Sequence, residues 1–233
     1  MSVESLPPLP EGRPPRQVQE KLWLFAPNRD CTGGSAWWLE TPHGAAGAGV
    51  LIDCPGLTQA NVAFLAERGP GQIVLTSREG HGRIRRLQEA LSWPVLVQEQ
   101  EAYLLPGLTL KTFGREHGLA PGLTLLWTPG PTPGSSVLLA DAQPGQPSVL
   151  FCGRLLSPVG PDQALPLRTR RSFHWGRWLN SLEQLKAWLP AEPALWLASG
   201  AGLGALRGEA LIPSLQARLA ALSLDALRDQ PML

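Results

Sequence analysis

Residues able to do chemistry concentrate in three short stretches of this chain. In Ile73 to Gly82 (IVLTSREGHG) an apolar run ends at Ser77, Glu79 and His81, so a carboxylate and an imidazole lie two residues apart where a strand-like segment gives way to a turn. Such a pair can offer oxygen and nitrogen to a single metal, although two side chains are a poor ligand set, and His81 alone can serve as a base. The structural alternative for His81 is a histidine hydrogen-bonded within its own loop. In Leu150 to Leu156 (LFCGRLL) a second apolar run ends at Arg154, a guanidinium charged at any ordinary pH, which suits either a salt bridge or an anion contact. The third stretch, Leu167 to Trp178 (LRTRRSFHWGRW), interleaves Arg168, Arg170, Arg171, His174 and Arg177 with Phe173, Trp175 and Trp178. It can stack on and neutralise a phosphate, a nucleotide or an acidic protein surface. Set against that is a long loop anchored by its tryptophans with the arginines in water. A formal net charge of +1 favours the second reading, because it gives no wider basic field.

The elements that must position these stretches follow from hydrophobic patterning. With 43% hydrophobic and 17% charged residues in 233, the chain has the composition of a water-soluble globular protein and can bury a sizeable core; no apolar run approaches the length of a membrane span. Nucleic acid and membrane are therefore not expected as partners. Three cysteines without CxxC spacing argue against a disulfide framework or a thiolate zinc knuckle, and a reducing, cytoplasmic setting is expected. The prolines at 7, 8, 10, 14 and 15, with Glu4 and Glu11 among them, lack the pattern of a secretory signal and predict a flexible arm over 1–20, followed by one domain over 21–233. Short strands are predicted over 21–26, 35–40 and 49–53, then a helix over 59–68 capped by Thr58, a strand over 72–76, a helix over 82–91, a strand over 94–98 and a short helix over 99–104. A second strand-rich stretch follows over 108–113, 123–128, 135–140 and 148–151. After it come an irregular insertion over 157–175, a helix over 178–189, a strand over 194–198 and a helix from 206 to about 228. Strands first and then α with β, twice over, suits two face-to-face sheets with helices outside.

Five segments then supply a resemblance. Gly49-Val50-Leu51-Ile52-Asp53, Ile73 to Gly82, Thr128 to Ser136 (TPGPTPGSS), Leu150 to Leu156 and Leu197 to Gly202 (LASGAG) resemble, in this order, the motif segments of the metallo-β-lactamase superfamily. The resemblance implies an α/β fold, a four-layer αββα sandwich. It also implies that a two-metal hydrolytic cleft would be lined by Ser77, Glu79, Gly80, His81, Pro131, Arg154 and Ala201. The family pattern wants histidine or aspartate at those positions, and of them only His81 matches; an ion pair of Arg154 with Glu79 inside that cleft would replace the metal-carboxylate attraction. Stretches 98–107 and 166–169 resemble a degenerate branch found in photosynthetic lineages, which names no substrate. The expectation is a non-catalytic relative with a dismantled metal site and no cofactor. Its cleft would bind a small anion, through Arg154 with Arg168, Arg170, Arg171 and His174, or the chain would bind a protein partner. The alternative is a metal-dependent hydrolase, thioesterase-like or similar to hydroxyacylglutathione hydrolase. It would take zinc or another divalent metal on Glu79 and His81 with help from His43, His117 or His174. A metal-free reaction, with His81 as base and Arg154 as an oxyanion or phosphate contact, ranks last, because no activated nucleophile is evident.

Overall fold

The computed structural model describes residues 8–44, 47–191 and 194–232. A first sheet contains seven strands in chain order: β1 (Arg16–Gln19), β2 (Leu22–Leu24), β3 (Trp37–Gly44), β4 (Gly47–Ile52), β5 (Gln72–Leu75), β6 (Val95–Gln98) and β7 (Leu110–Phe113). Pairing is antiparallel through β4 and parallel from β4 to β7. The change is made by crossovers carrying α1 (Gln59–Glu67) and α2 (Ile84–Leu91), because parallel neighbours need a long return path. The second sheet, ordered β14-β11-β10-β9-β8, is built from β8 (Glu116–Ala120), β9 (Leu123–Trp127), β10 (Ser136–Ala140), β11 (Val149–Phe151) and β14 (Trp196–Ala198). A hairpin of β12 (Ser157–Gly160) and β13 (Gln163–Leu165), then α3 (Trp175–Trp188), link β11 to its parallel neighbour β14. The short helices α4 (Leu215–Ala221) and α5 (Leu224–Arg228) follow.

Period-two alternation sorts these strands into three apolar layers. Leu39, Val50, Ile52, Val74 and Leu96 of the first sheet meet Leu125, Leu138, Val149 and Phe151 of the second in the central core, where Trp37 and Phe151 make an edge contact at 6.1 Å. Their chain neighbours point the other way. Trp38, Leu51, Ile73, Leu75, Val95 and Val97 pack against α1 and α2, whereas Val137, Leu139, Leu150 and Leu197 pack against α3 and α4. Helix, sheet, sheet, helix is the four-layer sandwich expected.

Four boundaries differ from expectation. Residues 16–19, assigned to a flexible arm, form edge strand β1, and the carbonyls of Pro10 and Glu11 accept from the Gln59 and Ala60 N–H groups; the open first turn of α1 gives the proline-rich segment something to bind. The insertion after 157 contains the β12–β13 hairpin. The helix expected from 206 to 228 is broken into two, since Ser214 adopts a left-handed φ of 56° after Pro213 and Ser223, accepting from the Ala226 N–H, caps a fresh start at Leu224. β8 went unpredicted because Glu116, His117 and Gly118 carry no apolar alternation. Among the described residues no helix is long and apolar enough to cross a membrane.

Candidate functional site

All five motif segments converge at one end of the sandwich. β4, β5, β11 and β14 deliver Asp53, the 76–81 loop, Gly153-Arg154 and Ser199-Ala201 from their carboxyl ends, where open α/β sheets place ligands. The turn between β9 and β10 closes over them. Backbone bonds stitch the loops together: Ser136 N–H to Thr76 O at 2.8 Å, Cys54 N–H to Gly80 O at 2.9 Å, Gly200 N–H to Gly153 O at 2.8 Å and Ser35 N–H to Gly200 O at 3.1 Å. Each sheet thereby contributes rigid loop bases.

At the base lies Asp53, buried and in a left-handed backbone conformation at φ 61°. It accepts from the Thr76 N–H at 2.8 Å, and the Thr76 hydroxyl lies 2.7 Å from its Oδ2. Burial pushes its carboxyl up to about 6 against these hydrogen bonds, which favour the charged form. Gly80 is required here because a Cβ would overlap Asp53 Oδ1, and Gly153, at φ 52°, is pressed against Thr76 Oγ1 in the same way.

Above this floor Arg154 Nε stands 3.0 Å from Glu79 Oε2, with the two side chains 20% and 23% exposed. Its Nη2 donates to Cys31 O at 2.7 Å and Thr32 O at 3.2 Å. The pairing of Arg154 with Glu79 inferred from charge is thus present, and three contacts hold the guanidinium in one place. Glu79, Pro131, Arg154 and Arg171 line a single open cleft of about 270 Å³, together with Thr169 and Ser172.

The other expected residues lie apart from that lining. Ser77 is buried, and its carbonyl accepts from the Gly80 N–H. Ala201 is buried with its N–H on Ser199 Oγ at 3.1 Å. Arg168 donates to Gln230 O at 3.0 Å and sits over the Trp175 ring, so it braces the C-terminal segment. Arg170 is exposed and outside the cleft wall. His174 caps α3, its Nδ1 accepting from the Arg177 N–H at 3.1 Å. His117 stacks on Phe113. The His43 side chain lies outside the described residues.

His81 turns inward to Glu101, with Nε2 3.8 Å from Oε2. Neither of these two buried atoms has a hydrogen-bond partner. Burial, then the neighbouring Arg78 charge, lowers the imidazole to about 4, so His81 is neutral at neutral pH. Burial likewise raises Glu101, partly offset by Thr132 and by the Gly134 N–H, which donates to Oε1 at 3.1 Å. Glu101 escaped the sequence reading because it lies in a charged run, EQEAYL, that reads as a solvated helix; only the fold folds it under the 132–134 turn. Thr169 and Ser172 escaped because hydroxyls in a loop carry no periodic signal.

No protein-family model and no curated protein matches the chain by sequence. Solved structures do match. A subclass B3 metallo-β-lactamase with an active-site glutamic acid superposes with a TM-score of 0.58 at 19% identity, covering 99% of this chain and 97% of that one. An archaeal metallo-β-lactamase superfamily protein from Sulfolobus tokodaii gives 0.57 at 15%, over 95% and 88%. An N-acyl homoserine lactone hydrolase with its product, N-hexanoyl-L-homoserine, bound at the catalytic metal center gives 0.53 at 18%, over 79% and 94%. The expectation of no cofactor is corrected by this last neighbour: a metal is the cofactor to which a solved member of the fold points. The side chains present here do not by themselves fit one. Among the described residues no group of three or more histidine, cysteine, aspartate or glutamate side chains is placed to hold a metal ion, and the Arg154 cation stands beside Glu79. From its layers, its motif loops and these superpositions, the chain has the metallo-β-lactamase fold.

Proposed function

We propose that this chain uses the metallo-β-lactamase fold as a binding scaffold, taking a small anion into the cleft between Arg154 and Arg171. The observation that supports it best is the fixed guanidinium of Arg154, held by Glu79 and two backbone carbonyls, lining the same cleft as the exposed Arg171, which has no side-chain partner among the described residues. A preorganised guanidinium loses little entropy when it meets an oxyanion. A cleft of about 270 Å³ is smaller than the usual range for drug-sized ligands, which favours a small one. A cytoplasmic setting is supported by three buried, free cysteines.

A second reading, a metal-dependent hydrolase, is favoured by the catalytic metal center of the homoserine lactone hydrolase and by the orphaned Nε2 of His81 and Oε2 of Glu101. Those two donors need at least one more. One experiment separates the readings. Thermal melting is followed with inorganic phosphate or with zinc, alongside turnover of β-lactam, lactone and thioester substrates. Binding predicts a phosphate-dependent rise in Tm that Arg171→Ala abolishes, with no turnover. Zinc-dependent turnover lost in His81→Ala refutes the binding reading.

A further inference from the structure

The groups that line the cleft fall into two sets of different chemistry. In the first set, Ser172 Oγ accepts from the Thr169 N–H at 2.9 Å and Thr169 Oγ1 accepts from the Arg171 N–H at 3.2 Å. With a backbone donor already on each oxygen, both hydroxyl protons remain to be donated. Arg171 adds a guanidinium with no side-chain partner among the described residues, so Thr169, Arg171 and Ser172 form a cluster of three donor side chains with net positive charge. In the second set, the Glu79–Arg154 pair is neutral as a unit. Among the described residues it keeps the Arg154 Nη1 amino group as a donor and Glu79 Oε1 as an acceptor, because their contacts engage only Nε, Nη2 and Oε2. An adjacent donor and acceptor complement a hydroxyl group, which is both; a second anionic group there would face the Glu79 carboxylate. Pro131, Leu167 and Trp178 add to the same lining an apolar surface suited to C–H faces.

Resting on the anion-binding reading, we infer that the ligand is a small phosphorylated polyol. Its phosphoryl group lies against Thr169, Arg171 and Ser172, and its hydroxyls lie on the Glu79–Arg154 pair. A phosphoryl group matches the donor-rich set because its oxygens accept several hydrogen bonds at once. A dicarboxylate matches less well, since its second charge would meet Glu79.

The test is titration calorimetry of the full chain with glycerol 3-phosphate, inorganic phosphate, malate and glycerol. Glycerol 3-phosphate is expected to bind roughly tenfold tighter than inorganic phosphate, as one additional charge-assisted hydrogen bond provides, and glycerol alone to give no heat. Arg171→Ala, an exposed change, weakens both phosphate-bearing probes by roughly tenfold or more. Glu79→Gln narrows the ratio of glycerol 3-phosphate to inorganic phosphate affinity toward one; circular dichroism confirms that the variant is folded. Malate binding tighter than glycerol 3-phosphate overturns the ligand class and leaves the anion reading standing. Equal affinity for the two phosphates overturns the polyol half. If no anion binds at millimolar concentration, both the inference and the reading beneath it fail.

Discussion

Replacing Arg154 with alanine gives the sharpest measure of whether the cleft is braced by its charge pair. The substitution removes a 3.0 Å contact to Glu79 and donations to Cys31 O and Thr32 O, so the loop at 28–34 loses its tie to the end of β11. Breaking a fully buried pair costs about 3–5 kcal/mol, and exposed pairs contribute about 0–1. With both side chains roughly a fifth exposed, solvent screens the orphaned carboxylate, and an intermediate loss of about 2–3 kcal/mol is expected. For a domain of this size that corresponds to a fall in Tm of roughly 4–12 °C. Glu79→Gln leaves Arg154 its two carbonyls and should cost less, about 1–2 kcal/mol. Urea unfolding of both single variants and the double variant closes a cycle whose coupling should be about 1 kcal/mol or more. A fall in Tm under 1 °C for Arg154→Ala, with coupling indistinguishable from zero, would refute the brace.

Two further outcomes follow from the packing and from the buried charges. Phe151→Ala empties the centre of the inter-sheet layer against Trp37 and should lower unfolding stability by about 3–5 kcal/mol with an unchanged urea m-value, whereas a loss under 1 kcal/mol would mean that the two sheets do not pack there. Acid stability tests His81 and Asp53 together. Because the folded state holds His81 at about 4 against an ordinary 6.5, it favours the neutral imidazole, and that stability is lost as pH falls from 6.5 through 4. Asp53, raised from 3.8 to about 6, favours the protonated acid, so its contribution grows as pH falls through 6; Glu101 is shifted in the same direction. The opposing slopes overlap between about pH 4 and 6. His81→Gln removes one of them, so the variant should gain on the parent by up to about 3 kcal/mol between pH 7 and pH 4, read by urea midpoints. A constant difference across that range would show that His81 is not held neutral.

The fold was legible because its signals are local. Val50-Leu51-Ile52 and Ile73-Val74-Leu75 announce strands buried on both faces, Thr58 announces the start of α1, and glycines such as Gly80 and Gly153 mark backbone that must pass close to Asp53 and Thr76. The pairing of Arg154 with Glu79 was legible too, because two opposite charges brought to one cleft seek each other. The donor inventory was misjudged where a local bond had already claimed the side chain. His174 is used in capping α3, and Arg168 is used on Gln230 and Trp175, so neither joins Arg171 at the cleft.

By itself, then, the sequence determined the layers, the order of the motif loops and the absence of the full histidine and aspartate set from those loops, since each is written in short-range pattern and turn chemistry. Tertiary structure decided the meetings that no charge pattern announced. Glu101 reaches under the 132–134 turn to face His81, Asp53 is buried beneath Gly80 and Gly200, and Thr169 and Ser172 line one cleft with Glu79, about ninety residues earlier in the chain. Contacts of that kind depend on how two sheets close on each other, and closure is set by the whole buried core, which no local spacing encodes.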